Sequence, residues 1–382
     1  MKKMRVVFWT ESFLPLIGGV EIFSKQLLAA LQKRGVEFTV ITSANLQAGA
    51  GEEIVDGIHI VRLPFHRVIA QRDLKLVQEL TKQVTALVHH IKPDLVHINS
   101  SEPSNFIFSL VHAVNSIPTI FTVHEPPVQA QDANSLVGRT MRAADWVVAV
   151  SQATLTQARQ LVPEITPRSS VIYNGLEMPR LPVTALRSDL PSLLCIGRLV
   201  EEKGFDLAIR ALGDIMDVFP TARLVIAGDG RARHDLELQV EALGLGRAVE
   251  FSGWCQPEKI RALIDAATIV LIPSRWQEPF GLVALEAAQR ARPVIAARTG
   301  GLPEVVVHGE TGVLFKKDDP NDLARQVIHL LHHPETARQL GNAARERAQH
   351  MFSLERATDE YDTLYRTIGQ RNHSISEDGG QE

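Results

Sequence analysis

The chain has 382 residues, of which 45% are hydrophobic and 22% charged, and its formal net charge at pH 7 is −4. That length predicts two or three domains, and the composition is that of a globular protein with enough apolar mass to bury a core. It excludes collagen-like, disulfide-framework and wholly disordered classes, and the charge balance argues against a nucleic-acid partner. The two cysteines, Cys195 and Cys255, lack the spacing of a metal site.

The sequence indicates neither a leader nor a membrane span. The basic start, MKKMR, leads into about five apolar residues, whereas a signal peptide needs an apolar region of about 7 to 15. The longest apolar run, residues 266–273, is far shorter than the roughly 18 residues that cross a bilayer. We therefore expect a cytoplasmic protein.

Short β-rich runs alternate with helical patterns along most of the chain, which predicts parallel βαβ units. The first-half runs are near-continuous apolar segments, typical of strands covered on both faces; they lie at residues 5–9, 37–42, 58–63, 95–99, 119–123, 146–150 and 170–173. Residues 178–191 hold three prolines and predict a linker. After them, strands are predicted at residues 193–196, 223–227, 249–252, 268–272, 293–297 and 312–315.

This alternation predicts an α/β fold of two Rossmann-like, doubly wound parallel-sheet domains that face a central cleft, the default ligand site. The first domain covers residues 1–180 and the second covers residues 181–352. A closing helix is predicted over residues 353–369, and the polar tail 371–382 is predicted to be disordered.

Gly18 and Gly19 close the loop after the first strand, at the start of a predicted helix. Glycine lets the backbone approach a ligand, and a helix N-terminus favours an anion or a sugar oxygen. A tight strand-to-helix turn is the more usual explanation of such a pair. The GxGxxG spacing is absent, so the dinucleotide fingerprint is missing where it belongs.

Two basic residues, Arg198 and Lys203, follow the first strand of the second domain. Open α/β sheets bind ligands at the carboxyl ends of strands, and two cations beside a helix start suit a diphosphate. The alternative is a solvated surface loop. After the next strands, Gly228 and Asp229 either let a nucleotide lie against the backbone or form a turn, and Trp254 either borders a base or packs.

The segment PSRWQEPFGLVALEA is the most informative in the chain. Glu278 lies in a loop after a buried strand, and Glu286 lies eight residues on, inside a helix that begins near Gly281. The N–H groups at this helix start, Phe280 to Leu282, suit phosphate oxygens. Because the neighbours of Glu286 are apolar, its carboxylate needs a partner, which favours a ligand-binding role.

Together these motifs make the chain resemble the family-4 retaining glycosyltransferases of the GT-B fold. No single motif is specific, but the matching segments occur in the family's order, at residues 18–21, 124–126, 174–175, 197–198, 202–204, 228–230, 278–286 and 300–301.

In the first domain, the resemblance implies that Gly18 and Gly19 line the acceptor side and approach the donor phosphate. His124 would lie at the cleft floor near the donor sugar, as a hydrogen-bonding group or, less favoured, a general base. The helix over residues 353–369 would pack back on this domain.

In the second domain, the resemblance implies that Arg198 and Lys203 neutralise the diphosphate, helped by the N–H groups of the helix start. Glu278 would bind donor-sugar hydroxyls, and Glu286 the ribose. Because no Asp-x-Asp pair is present, the cations would stabilise the leaving group without a metal or other cofactor. A front-face mechanism is expected, with Glu278 as a covalent nucleophile the alternative. The donor is expected to be a UDP- or GDP-sugar.

Three alternatives stay open at this level: a nucleotide-sugar epimerase of the same fold, a non-catalytic binder, and a transferase acting on a lipid-linked acceptor at the membrane surface. The stretch from Arg62 to Lys75 interleaves basic and apolar residues. Such a stretch suits peripheral contact with the inner membrane face, although an ordinary loop and helix start is favoured. No protein partner is implied.

Overall fold

The computed structural model describes residues 3–15, 18–44, 48–99, 103–115, 117–125, 132–179, 184, 186 and 190–377, with the backbone alone for residues 371–377. Pro126, most of the predicted linker and the last five residues of the predicted tail lie outside these ranges. The chain divides into two compact units. Unit 1 comprises Met1–Gly175 with Leu354–Glu382, and unit 2 comprises Leu176–Ser353.

Unit 1 is built on one eight-stranded sheet. Its strands are β1 (Met4–Trp9), β2 (Val36–Ser43), β3 (Gly51–Val55), β4 (Ile58–Leu63), β5 (Leu95–Ile98), β6 (Thr119–Val123), β7 (Trp146–Ala149) and β8 (Ser169–Val171). They lie in the order β3-β4-β2-β1-β5-β6-β7-β8, all parallel except β3 against β4. The seven predicted strands are confirmed. The edge strand β3 is not predictable, because its residues are mostly exposed and show no apolar alternation.

Helices cover both faces of this sheet. They are α1 (Gly19–Gln32), α2 (Phe65–Gln71), α3 (Leu74–Ile91), α4 (Ser104–His112), α5 (Leu136–Ala143) and α6 (Gln152–Leu161). Because alternate side chains of a strand point to opposite faces, Val6 and Phe8 of β1 belong to the core that includes α1. Val7 and Trp9 belong to the core that includes α3 and α4.

Unit 2 is built on a six-stranded, wholly parallel sheet. Its strands are β9 (Ser192–Ile196), β10 (Arg223–Ala227), β11 (Val249–Gly253), β12 (Ile269–Ile272), β13 (Val294–Ala297) and β14 (Val313–Phe315), in the order β11-β10-β9-β12-β13-β14. The helices are α7 (Phe205–Val218), α8 (Arg233–Ala242), α9 (Pro257–Ala266), α10 (Leu282–Gln289), α11 (Leu302–Val305), α12 (Pro320–His332) and α13 (Pro334–Met351). This is the strand order of dinucleotide-binding folds, so the predicted doubly wound sheet is confirmed.

The last helix, α14 (Leu354–Glu377), belongs to unit 1. Its buried residues recur at helical spacing and join the core face that includes α1: Ala357, Tyr361, Tyr365 and Ile368. The helix continues beyond residue 371, where the sequence predicts a disordered tail. No glycine or proline interrupts the chain between residues 371 and 377, so helical hydrogen bonding has no local reason to stop there.

The stretch from Arg62 to Lys75 turns most of its apolar side chains inward. Arg62 is 4% exposed; it pairs with Glu53 and donates to the carbonyl oxygen of Leu14 at 2.5 Å. The buried apolar members are Leu63, Phe65 and Val68. These side chains are therefore unavailable for insertion into a bilayer, and the exposed cations of the stretch are Arg67, Arg72 and Lys75.

The close packing of the loops in unit 2 gives a test of this fold. Gly228 has φ +144°, and a Cβ there would lie 1.8 Å from the carbonyl oxygen of Gly197. We expect Gly228→Ala to lower the free energy of unfolding by about 2–5 kcal/mol, from backbone strain plus overpacking. Thermal unfolding measures the change.

Gly213→Ala is the matched control, because Gly213 lies inside α7 with no atom within 4 Å of its Cβ position. Alanine there should stabilise the protein by about 0.5–1 kcal/mol. Equal stability of the two variants would show that the loops do not pack as described.

Candidate active site

The centre of the unit 2 sheet is a topological switch point. Strands β9 and β12 pair there, and the chain runs from them toward opposite edges. In open α/β sheets, ligands bind in the crevice outside the carboxyl ends of the strands at this point. The loops that leave β9 and β12 carry Arg198, Lys203 and Glu278, so three predicted site residues share one edge of one sheet.

Main-chain contacts join these two loops. The N–H groups of Arg275 and Trp276 donate to the carbonyl oxygen of Glu202 at 2.9 and 3.0 Å. A Cβ on Gly204 would lie 2.1 Å from the carbonyl oxygen of Pro273, so main chain packs against main chain. The positions of the charged side chains on the two loops are therefore coupled.

Lys203 and Glu278 form an ion pair between the loops. The Lys203 Nζ donates to the Glu278 Oε1 at 2.5 Å, and the hydroxyl of Ser274 donates to the same oxygen at 2.6 Å. Glu278 is 8% exposed and Ser274 is buried. A buried carboxylate is thus neutralised in the unliganded protein. The sequence alone does not identify Ser274 as a site residue. The one signal for it there is its position in the same loop as Glu278.

Arg198 differs from Lys203 in being exposed and, among the residues the structure describes, without an ion-pair partner. A guanidinium in this state is free to grip a phosphate with two parallel hydrogen bonds. Arg198 is therefore the available cation of the switch point, and Lys203 the paired one.

Helix α10 begins at the same edge of the sheet. Gly281 is its N-cap with φ +109°, and a Cβ there would lie 2.7 Å from a methyl carbon of Leu302. The preceding Phe280 is buried against Phe352, with ring centroids 5.4 Å apart. These contacts fix the helix start, whose first residue is Leu282 and whose first-turn N–H groups have no partner within the helix.

Glu286 lies inside α10 as predicted, and among the described residues it has no hydrogen-bond partner. Burial raises the pKa of its carboxyl from 4.5 to about 7, although the charges of Arg261 and Arg290 act in the opposite direction. The protein therefore holds a carboxyl that is costly to ionise and that has no hydrogen-bond partner among the described residues of unit 2. Such a group is characteristic of a functional site.

The glycine loop after β10 serves packing. A Cβ on Gly228 or Gly230 would meet the carbonyl oxygen of Gly197 or Leu199, at 1.8 and 2.5 Å. The Cβ side of these two glycines is thus occupied by the protein's own main chain. Asp229 is exposed and accepts from the N–H of Gly230 at 2.7 Å, which confirms the turn interpretation.

Trp254 follows β11 and is 57% exposed. More than half of the residue is therefore accessible, which is compatible with stacking against a base.

In unit 1, His124 follows β6 and is 7% exposed. Its Nε2 lies 2.8 Å from the Oδ1 of Asn99, which follows the adjacent strand β5. The Nδ2 of Asn99 donates to the hydroxyl of Ser24 in α1 at 3.1 Å. Burial lowers the pKa of His124 from 6.5 to about 4, so the imidazole is neutral at physiological pH. Asn99 and Ser24 were not selected from the sequence.

Gly18 and Gly19 form the start of α1. Gly18 is the N-cap, and its carbonyl oxygen accepts from the N–H of Ile22 at 3.0 Å. Gly18 has extended backbone, and a Cβ on it would meet the flexible carboxylate of Glu21. The strand-to-helix turn is therefore present, while residues 16 and 17 of its loop lie outside the described ranges.

Neither a metal-binding cluster nor a membrane-spanning helix is found among the described residues. No group of three or more His, Cys, Asp or Glu side chains is placed to hold a metal ion there. Among the helices in the described ranges, none has the length and apolar character needed to cross a membrane.

The fold and site thus define a two-unit α/β protein with a Rossmann-type switch point that presents paired charges beside a helix start. Two family models match it: glycosyltransferase family 4 over residues 17–180, and glycosyl transferases group 1 over residues 181–347.

Individual proteins give the same picture. The glycogen synthase of Mycobacterium tuberculosis is 32% identical over 268 residues, which are 67% of this chain and 64% of that enzyme. The sucrose-phosphate synthase of Thermosynechococcus elongatus superimposes with a TM-score of 0.81 at 24% identity, over 96% of this chain and 99% of that one. The structure of Anabaena HepE in complex with UDP-glucose superimposes with a TM-score of 0.76 at 21% sequence identity, over 96% of this chain and 100% of that one. The chain belongs to the family-4 glycosyltransferases of the GT-B fold.

Glu286 predicts a pH-dependent change in stability. Its pKa of about 7 lies above the ordinary value of 4.5, so ionisation destabilises the folded state progressively from pH 4.5 to pH 7 and fully above that. We expect Glu286→Gln to be more stable than the parent protein at pH 8, by at most about 3 kcal/mol. The difference should vanish near pH 4, where both side chains are neutral.

Denaturant unfolding at pH 4, 6 and 8 measures this. Glu310→Gln is a control at an exposed glutamate of the same unit. A Glu286→Gln variant less stable than the parent protein at pH 8 would mean that the carboxylate has a stabilising partner.

Proposed function

We propose that the protein transfers a sugar from a nucleoside-diphosphate sugar to an acceptor hydroxyl with retention of anomeric configuration and without a metal ion. The observation that carries the proposal is the set of groups at the switch point of unit 2. An available cation, Arg198, and a paired one, Lys203, lie at the edge of the sheet where α10 begins. Glu286, inside that helix, lacks a partner among the described residues.

Each group has a part of the donor to bind. Arg198 holds the diphosphate, and the N–H groups at the start of α10 add donors to its oxygens. Glu286 accepts hydrogen bonds from the ribose hydroxyls, which supply the partner that the protein does not. Glu278 accepts from donor-sugar hydroxyls, and HepE in complex with UDP-glucose supports a donor of this type by analogy of fold.

The Lys203–Glu278 pair links donor binding to catalysis. In the structure the ammonium of Lys203 forms an ion pair with Glu278. A diphosphate competes for that cation, and charge that builds on the leaving phosphate strengthens the competition as the anomeric bond breaks. Stabilisation that grows toward the transition state is what accelerates a reaction.

The bond changes are those of a front-face transfer. The anomeric C–O bond breaks with its electron pair on the leaving phosphate oxygen, and the acceptor oxygen forms a bond on the same face of the sugar. The acceptor proton passes to the leaving phosphate, so no protein base is required. His124, neutral and buried, binds a sugar hydroxyl.

Ligand-induced stabilisation tests the donor and the metal requirement. We expect one of UDP, GDP or ADP, or its sugar conjugate, to raise the melting temperature equally with and without EDTA. At 100 times its dissociation constant a ligand adds about 2.7 kcal/mol to the free energy of unfolding. The Arg198→Ala variant should lose most of this shift.

Arg247→Ala is the control for that variant, because Arg247 is an exposed arginine of the same unit placed before β11, at the amino end of a strand. It should keep the full shift. A shift abolished by EDTA would overturn metal independence, and no shift with any nucleotide would overturn the assignment of Arg198.

The stereochemical course tests the role of Glu278. We expect a product with the anomeric configuration of the donor, and a Glu278→Gln variant that loses at least about 100-fold in kcat because a charge-assisted contact is removed. Proton NMR of the product, kinetics of the variant and mass spectrometry of the parent enzyme incubated with donor are the measurements.

A glycosyl adduct on the parent enzyme at Glu278 would favour the covalent route over the front-face one. Inversion of configuration would contradict retention. A changed sugar in the absence of any acceptor would identify the protein as an epimerase instead.

A further inference from the structure

A chain of three buried side chains in unit 1 fixes the hydrogen positions of His124. An amide nitrogen can only donate and an amide oxygen can only accept. In the structure the Nδ2 of Asn99 donates to the hydroxyl oxygen of Ser24 at 3.1 Å, and the Oδ1 of Asn99 lies 2.8 Å from the Nε2 of His124. An oxygen that only accepts requires a proton on the Nε2 of His124.

The other ring nitrogen is then an acceptor. A neutral imidazole carries one proton, and burial keeps His124 neutral by lowering its pKa to about 4. Its Nδ1 therefore has a lone pair. That atom is buried and has no hydrogen-bond partner within the part of the chain that the structure describes.

Buried polar atoms without a partner are rare, because each loses its hydrogen bonds to water and gains no other in return. The neighbouring histidine of β5 shows the usual situation. His97 hydrogen-bonds through both nitrogens, to the hydroxyl of Tyr365 at 2.6 Å and to that of Thr122 at 2.7 Å. The same sheet thus satisfies one buried imidazole completely and leaves the other with one open acceptor.

We infer that Asn99 is a positioning residue that holds His124 as the Nε2–H tautomer, so that the Nδ1 accepts a hydrogen bond from a hydroxyl of the sugar substrate. This inference rests on the proposed function for the identity of the ligand. A sugar hydroxyl is both donor and acceptor, but only its donor side fits this nitrogen. An ammonium or guanidinium ligand would be an equally good donor, whereas a phosphate oxygen would be repelled by the lone pair.

The surroundings of His124 make its proton state responsive to Asn99. The titratable group that faces it from β5 is His97, whose own pKa is lowered to about 3 by burial and by His124. Tyr361 and Tyr365 of α14 contact the His97 ring. Glu21 and Lys25 flank Ser24 in α1, and Glu125 follows His124. The pKa of His124 itself is lowered by burial.

The tautomer is measured directly by long-range proton–nitrogen NMR on protein labelled with ¹⁵N-histidine, with His124→Gln to assign the signal. We expect a protonated Nε2 and an unprotonated Nδ1 at pH 7. Addition of UDP-glucose or GDP-mannose, whichever stabilises the protein, should move the Nδ1 resonance toward the hydrogen-bonded range. A protonated Nδ1 in the free protein would overturn the inference, whatever the enzyme's activity.

Asn99→Asp gives a second, kinetic test. A carboxylate oxygen still accepts from the Nε2, but its charge raises the pKa of His124. Protonation then places a hydrogen on the Nδ1 and removes the acceptor. We expect kcat/KM within about threefold of the parent enzyme at pH 8, and a new acidic limb that falls about tenfold per pH unit.

Asn115→Asp is the matched control, since it adds the same charge to unit 1 at the end of α4, where its side chain contacts the carbonyl oxygen of Val111. Its pH profile should match that of the parent enzyme. A parallel profile for Asn99→Asp would overturn the inference while leaving the transferase assignment intact. Lack of transferase activity in the parent protein would contradict the proposed function, and the NMR readout would still decide the tautomer.

Discussion

The ion pair between Lys203 and Glu278 depends on two loops packed main chain against main chain, and the donor half of the proposed chemistry depends on that pair. Glu278 is buried and Lys203 is half-buried, and a buried carboxylate that loses its cation is left with an uncompensated charge. The N–H groups of Arg275 and Trp276, bonded to the carbonyl of Glu202, keep the loops in register. In the proposed function, a diphosphate draws the ammonium away and leaves Glu278 with the hydroxyl of Ser274 and the donor sugar, so that ligand contacts replace a protein contact.

The same close packing explains why glycines occur around the site. Glycine after a strand of an α/β sheet is usually interpreted as room for a ligand. At Gly228 the room is occupied by the carbonyl oxygen of Gly197, and at Gly300 by that of Glu278, 2.2 Å from a Cβ. The carbonyl of Glu278 also accepts from the N–H of Gly301 at 2.7 Å. The loop of Gly300 and Gly301 therefore packs against the main chain that carries this carboxylate. These glycines therefore position the residues packed against them.

The sequence predicts the parts of this molecule whose physics is local. Apolar runs identify the buried parallel strands, and the isolated carboxylate of Glu286 among apolar neighbours is visible as a motif. The exposed edge strand β3 carries no such signal. The pairing of Lys203 with Glu278, 75 residues apart, follows from the adjacency of β9 and β12 and needs the sheet order. Asn99 is a single polar residue at a strand end, and only the neighbouring strand β6 places His124 beside it.

Glu286 in unit 2 and His124 in unit 1 share a physical property. Neither has a full set of hydrogen-bond partners among the described residues, and each has a pKa shifted toward the neutral form by burial. Folding alone would favour replacing both by apolar groups of similar size. The free energy that the unliganded protein forgoes at these two positions returns only when a ligand supplies the missing bonds. Ribose hydroxyls meet the requirement at Glu286, because they donate to an oxygen acceptor. The lone pair of the His124 Nδ1 likewise needs a hydrogen-bond donor, and we infer that the amide of Asn99 keeps that nitrogen unprotonated.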